Sequence, residues 1–154
     1  MAQEGLPPEP GSPQDPRTKV VLVVDDDDVI CTLVSMALQM EGFQTVAAAN
    51  GEEALKRMDD RAPDLIITDL MMPRQGGYEF LRHLNARGEK RVPVIIVTGH
   101  DLQDSTIELI RQEANVVEFL KKPLLAKMLA FTAHKTLGTT WKRPKSDPWG
   151  TRGA

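Results

Sequence analysis

The stretch "VVDDDDVI", residues 23 to 30, sets four consecutive carboxylates behind an apolar run. Two like charges about 4 Å apart repel by about 1 kcal/mol in water and about 4 kcal/mol near a protein surface. A fold tolerates such a cluster where part of it is solvated, where a helix start absorbs part, or where a cation sits in it. Three more groups stand where apolar runs end: Asp69 closes "DLIITD", Thr98 closes "VPVIIVT", and Lys121 and Lys122 precede Pro123 after "VEFL". If those runs end on one rim, Asp25, Asp26 and Asp69 meet a hydroxyl and an ammonium. Oxygen-only ligands with no His or Cys among them suit Mg²⁺, which is held by a few carboxylates plus waters and phosphate oxygens. A carboxylate beside such an ion can attack phosphorus and form an acyl phosphate. A lysine and a hydroxyl opposite would hold the phosphoryl oxygens as charge redistributes. The pattern is that of a phosphoaspartate site.

The elements that would position these groups follow from periodicity. Apolar runs at 19–24, 44–49, 64–69, 92–98 and 117–121 read as strands, the central ones buried on both faces. Helical spacing is expected over 28–40, 51–60, 77–85, 102–114 and 124–137. In the first helix Val29, Leu33, Met36, Ala37 and Met40 share a face, and Gly42 ends it. Ala54, Leu55 and Met58 point inward from the second, and Phe80, Leu81 and Leu84 from the third. Leu102, Thr106, Ile110 and Ala114 share one side of the fourth. Strand and helix alternate five times. That implies an α/β fold with a parallel sheet covered on both faces by right-handed crossovers. Ligands of such sheets bind at the carboxyl ends of the strands, at a topological switch point.

Composition narrows the alternatives. Net charge is −3, so nothing overall points to nucleic acid. No run approaches the ~18 apolar residues of a membrane span, and no signal peptide opens the chain. A cytoplasmic protein is expected. Cys31 is the single cysteine, which excludes an intrachain disulfide, and it is expected to be a small buried apolar residue. His83, His100 and His134 are expected to do no chemistry, with His100 nearest to an outer-shell role. Residues 1–18 hold five of the eleven prolines and read as a flexible tail before a domain at 19–137. Residues 138–154 are a second, basic tail holding both tryptophans. Such a tail docks on a partner or packs on the last helix. Its four basic residues, Lys142, Arg143, Lys145 and Arg152, are a weak nucleic-acid footprint, and direct nucleic-acid binding is not expected.

Four segments, "VLVVDDD", "PDLIITDLMMPRQGGYEFL", "PVIIVTGH" and "FLKKP", together resemble the response-regulator receiver domains of two-component signalling, in order and spacing across residues 19–137. The resemblance implies a doubly wound (βα)5, flavodoxin-like sandwich with sheet order 2-1-3-4-5. It implies that Asp69 is the phosphoacceptor, Asp26 a direct Mg²⁺ ligand and Asp25 a ligand through water, with the backbone carbonyl of Met71 completing the protein ligands. Lys122 matches the phosphate-pairing lysine, Thr98 the switch hydroxyl and Phe119 the rotating switch aromatic. The family's proline often follows a cis peptide, which Lys122–Pro123 would share. Glu113 and Ala114 stand where the family often has a glycine-alanine pair. Met71 and His100 fill variable positions.

By the same resemblance the donor is a sensor histidine kinase or a histidine phosphotransfer protein. The receiver is not an enzyme in the ordinary sense but assists its own phosphorylation and dephosphorylation. Output would run through the face of the fourth helix, fifth strand and fifth helix, to a protein target or a second copy. The fifth helix is apolar nearly all round, at Leu124, Leu125, Ala126, Met128, Leu129, Ala130, Phe131 and Ala133, which marks either a partner surface or a face covered by the Trp141 tail. No output domain is expected after residue 137. Asp28 is expected to cap the first helix or to meet its positive end, and Asp27 to be spare. One alternative is a haloacid-dehalogenase-type phosphatase, for which "DDDDVI" supplies Asp25 as nucleophile and Asp27 as acid/base. It leaves Asp69 unexplained and lacks a later acidic motif, the one acid after Lys122 being Asp147. The other alternative is a pseudo-receiver that binds a partner without phosphorylation.

Overall fold

A strand buried on both faces is apolar through most of its length, and the three most continuous apolar runs form such strands. In a computed structural model that describes residues 14–70, 72, 76–88, 92–99, 103–113 and 115–140, β1 (Val20–Val24), β3 (Leu65–Asp69) and β4 (Val94–Thr98) are buried throughout. The sheet is parallel, in the order β2-β1-β3-β4-β5. Its edges, β2 (Gln44–Ala48) and β5 (Val116–Lys121), are partly exposed. A register shift of β5 between Val94 and Ile95 of β4 sets Phe119 opposite Ile96 and Lys121 opposite Thr98.

Helices α1 (Asp28–Met40), α2 (Gly51–Asp60), α3 (Gly77–Ala86), α4 (Asp104–Arg111) and α5 (Ala126–Leu137) cover both faces. Leu38 of α1 and Leu129 and Ala133 of α5 pack on Val21, Val23 and Ile67. On the other face Met58, Phe80, Leu84 and Ile110 pack on Leu22, Ile66 and Ile96. Full burial of each such side chain stabilises by about 1.5–3 kcal/mol relative to exposure. The alternating pattern implies the parallel sheet covered on both faces, and the resemblance its doubly wound (βα)5, flavodoxin-like form with this strand order. Cys31 is buried, as its type suggests.

Three details depart from the sequence pattern. The stripe of α1 marked by Val29, Leu33, Met36 and Met40 faces outward, and Cys31, Val34 and Leu38 form the buried one. Both stripes are apolar, so periodicity alone could not choose between them. The cap of α1 is Asp27: its carboxylate accepts from the amides of Val29 and Ile30 at 2.9 and 3.4 Å. Asp28 lies inside the first turn, where its charge meets the positive end of the helix dipole. α5 starts two residues later than its apolar run, because Leu125 is still extended.

α5 stops at Gly138, which takes the left-handed conformation (φ 64°). Beyond it Thr139 pairs with Gln14, whose amide donates to the Gly138 carbonyl at 2.8 Å. Leu102, Ala114, Met71, His100 and the tail from Trp141 onward lie outside the described residues. Among the described residues no helix is long and apolar enough to cross a membrane.

Candidate functional site

Parallel strands that run together bring their carboxyl ends together. Asp25 directly follows β1, and Asp69 closes the neighbouring β3. Both are buried, at 4% and 6% exposure, while Asp26 faces solvent. One carboxylate oxygen from each lies within 4.8 Å of the others, the one such acidic cluster among the described residues. Lys122, which follows β5, reaches into it. Its Nζ donates to Asp69 Oδ2 at 2.8 Å and to Asp25 Oδ2 at 3.0 Å. The Asp27 amide donates to the other Asp25 oxygen at 2.9 Å, so the residue that caps α1 also orients Asp25.

Of the two neighbouring lysines, only Lys122 turns inward. Lys121 sits opposite Thr98 in the sheet and is exposed, whereas the Lys122 amide donates to the Thr98 carbonyl at 2.9 Å. The Lys122–Pro123 peptide is cis. Thr98 ends β4 on the same rim, 5% exposed. Phe119, two residues back from Lys121 on β5, packs at the edge of the core with the Arg111 guanidinium 4.8 Å above its ring. The sequence-predicted residues Asp25, Asp26, Asp69, Thr98 and Lys122 therefore gather at one end of the sheet, with Phe119 two strand positions back from the rim, opposite Ile96.

Burial raises the Asp25 carboxyl above its usual range. The hydrogen bonds from Asp27 and Lys122 oppose the rise, and the charge of Asp69 adds to it. Burial alone would lower the Lys122 ammonium, but its bonds and attractions to Asp69 and Asp25 outweigh that and hold it above the usual lysine value. Three carboxylates against one ammonium leave the cluster two negative charges in excess, which one divalent cation balances. The donor set is all oxygen, and the solvent-facing Asp26 leaves room for water ligands, so these residues fit Mg²⁺ in kind.

Two site-building residues gave no clear signal in the sequence. Gly77 opens α3 against the acceptor strand: a Cβ there would sit 2.4 Å from the Asp69 carbonyl oxygen and 2.8 Å from Leu70 Cα. The "GG" of "PRQGG" was the available hint. Arg111 over Phe119 depends on α4 packing beside β5, which spacing along the chain does not reveal.

Comparison with known proteins agrees with this geometry. The family model described as "Response regulator receiver domain" matches residues 21–133. The chain is 32% identical over 105 residues to the alkaline phosphatase synthesis transcriptional regulatory protein PhoP of Bacillus subtilis, covering 68% of this chain and 42% of that one. It is 37% identical over 128 residues to the probable transcriptional regulator ycf27 of Cyanophora paradoxa, covering 79% and 53%. The chain thus spans about half the length, or less, of these relatives. Among solved structures, chemotaxis response regulator CheY4 of Vibrio cholerae superposes with a TM-score of 0.69 at 29% identity, covering 77% of this chain and 98% of that one. The receiver domain of NtrX from Brucella abortus does so with a TM-score of 0.69 at 31% identity, covering 78% and 99%. An acidic rim bridged by a lysine, on a sheet of this order and with these relatives, places the chain in the response regulator receiver domain family of two-component signalling.

Proposed function

We propose that the chain accepts a phosphoryl group on Asp69 from a phosphohistidine of a sensor kinase or a phosphotransfer protein, and that this switches a protein-binding face. The observation that carries the proposal is the placement of Lys122 Nζ, 2.8 Å from Asp69 and 3.0 Å from Asp25. Only a lysine shared by the acceptor and a neighbouring carboxylate can release one and keep the other. An Asp69 oxygen attacks phosphorus, the new O–P bond forms as the N–P bond breaks, and the donor imidazole leaves with the electron pair. Lys122 then gives its Asp69 hydrogen bond to a phosphoryl oxygen while Asp25 still holds it. Thr98, buried at the neighbouring strand end, supplies a hydroxyl to another phosphoryl oxygen. Bound by Asp25, Asp26, Asp69 and the Met71 carbonyl, Mg²⁺ would supply charge neutralisation for the phosphoryl oxygens.

Movement of Thr98 opens space behind it for Phe119, which shares its face of the sheet. The α4–β5–α5 face then exchanges between two packings, and phosphorylation biases the populations by its different contacts with each. Residues 19–137 form the receiver unit in this proposal, with 1–18 and 138–154 as flanking segments. The output partner is a protein or a second copy of the chain. A phosphatase using Asp25 and Asp27 has less support, because the Asp27 carboxylate is committed to the first amides of α1.

Trapping tests the proposal. Incubation with acetyl phosphate and Mg²⁺, or with beryllofluoride, is expected to modify Asp69, and Asp69→Asn is expected to abolish the labelling without loss of fold. An acyl phosphate mapped to Asp25 would overturn it, and absence of any Mg²⁺-dependent labelling would favour a pseudo-receiver.

A further inference from the structure

We propose that the C-terminal segment, residues 141–154, folds back along the groove between α1 and α5 and seats its tryptophans there. The groove is apolar and open. Leu33, Met36 and Met40 of α1 and Phe131 of α5 are each more than half exposed, with Leu33 at 57% and Phe131 at 63%. They and their neighbours enclose about 530 Å³ between the helices, and a second hollow of about 310 Å³ shares Leu33 and Ala37 and continues toward Lys122. Contiguous apolar surface of this kind is rarely left bare.

The route of the chain favours its own tail as the occupant. Thr139 is buried, pairs with Gln14, and its hydroxyl lies 2.7 Å from His134 Nδ1. His134 itself lines the groove, with Nε2 3.0 Å from Glu41. The segment therefore leaves the fold at one end of the groove from a fixed point. Trp141 follows the last described residue directly, and Trp149, nine residues past Thr140, can reach about 30 Å. The groove from His134 back to Ala126 needs about 12 Å of helix. Each tryptophan offers about 150–250 Å² to bury. A tether this short also gives the segment a high effective concentration that a free partner lacks.

Charge agrees with the same direction. The segment carries Lys142, Arg143, Lys145 and Arg152 against Asp147. α1 contains no Lys or Arg; Glu41 follows its C-terminal end, and Asp26, Asp27 and Asp28 stand exposed at the other. A basic segment laid along α1 meets an acid at each end.

Trp141 and Trp149 are the two tryptophans of the chain, so tryptophan emission reports this segment alone. In the full chain the emission is expected to lie to the blue of the urea-unfolded chain, with acrylamide quenching reduced several-fold and no dependence on protein concentration. Leu33→Glu and Phe131→Glu, both on exposed positions, should each return emission and quenching toward the unfolded values while the circular dichroism melt is unchanged. Nuclear Overhauser contacts from indole protons to the methyls of Met36 or Met40 give the same answer without any substitution. Emission equal to that of the unfolded chain would overturn the proposal. So would a blue shift that disappears on dilution together with a dimer in sedimentation, since a second copy would then fill the groove. A blue shift indifferent to both groove substitutions and lacking those Overhauser contacts would also overturn it, placing the tryptophans elsewhere.

Discussion

Asp69→Asn should stabilise the metal-free fold, and the cluster's geometry gives the size of the effect. At an effective dielectric near 20, the 2.8 Å contact between Lys122 Nζ and Asp69 is worth about 6 kcal/mol of attraction. Asp25 and Asp26, each with an oxygen within 4.8 Å, repel Asp69 by at least about 3.5 kcal/mol apiece. The two repulsions slightly outweigh the single attraction, so removing the charge is close to neutral in Coulomb terms. Desolvation then decides the sign. A carboxylate that is 6% exposed carries a penalty of several kcal/mol that an amide largely escapes, less whatever the pairing returns. The amide oxygen of Asn still accepts from Lys122, and Asp25 still faces it, so the Lys122 ammonium is not orphaned. A net gain of about 1 kcal/mol or more is expected, which for a chain of this size is a rise in Tm of about 2–4 °C. The assay is a calorimetric melt in EDTA and then across a Mg²⁺ titration. The variant should melt above the parent in chelator, and the gap should close as Mg²⁺ stabilises the parent by binding the folded chain. A lower Tm for Asp69→Asn in chelator would refute the reasoning, because the lysine's attraction would then exceed the repulsion and desolvation together.

Asp27→Ala should cost about 1 kcal/mol by removing the cap of α1; urea unfolding would read this, and Asp28→Ala should cost less. Gly77→Ala should be far more damaging than its size suggests, since its Cβ would meet backbone atoms of Asp69 and Leu70 that cannot swing away. A loss of about 1–3 kcal/mol in urea unfolding, with a reduced yield of acyl phosphate, is expected. Asp25 supplies a pH test. Its proton is held more tightly in the folded chain, so its contribution to stability is complete below the ordinary carboxylate value of 3.8 and is lost as pH rises through the raised folded value. In metal-free melts the advantage of Asp25→Asn over the parent should therefore grow from about pH 4 upward, and an advantage that shrinks with rising pH would contradict the burial argument.

The rim was legible in the sequence for a simple reason. Central strands of a parallel sheet are apolar through most of their length, so the polar groups that close each run mark where the strands end. That located Asp25, Asp69 and Thr98 without knowledge of any contact. What the one-dimensional pattern could not supply was direction across an element. α1 carries two apolar stripes, and the choice of Cys31, Val34 and Leu38 for the core is made by the sheet beneath. The choice of Asp27 over Asp28 as cap depends on where the chain first turns helical, a one-residue matter. Lys121 and Lys122 are equivalent in composition, and only the pairing of Lys121 with Thr98 turns the next residue inward. The close approach of Gly77 to the Asp69 carbonyl is between elements and leaves no trace in spacing.

Stability and the proposed chemistry draw on the same imbalance of charge. Three carboxylates around one ammonium are poorly compensated, and each improvement to the metal-free fold, by Asn at 25 or 69, removes part of what would attract a dication and position a phosphoryl group. Lys122 limits the cost in the resting chain because it satisfies two buried acids at once. That sharing also makes it suited to respond. A lysine bonded to Asp69 alone would lose its partner on phosphorylation and have to find another. Held also by Asp25 at 3.0 Å, it keeps its place and exchanges one acceptor for another. The energy difference between its two bonding states is therefore available at a fixed point, beside Thr98, rather than being spent on finding a new position. A ligand shifts a two-state equilibrium only by its differential interaction with the two states. In the proposed switch, Lys122 supplies the anchored part of that difference and Thr98, with Phe119 behind it, the movable part.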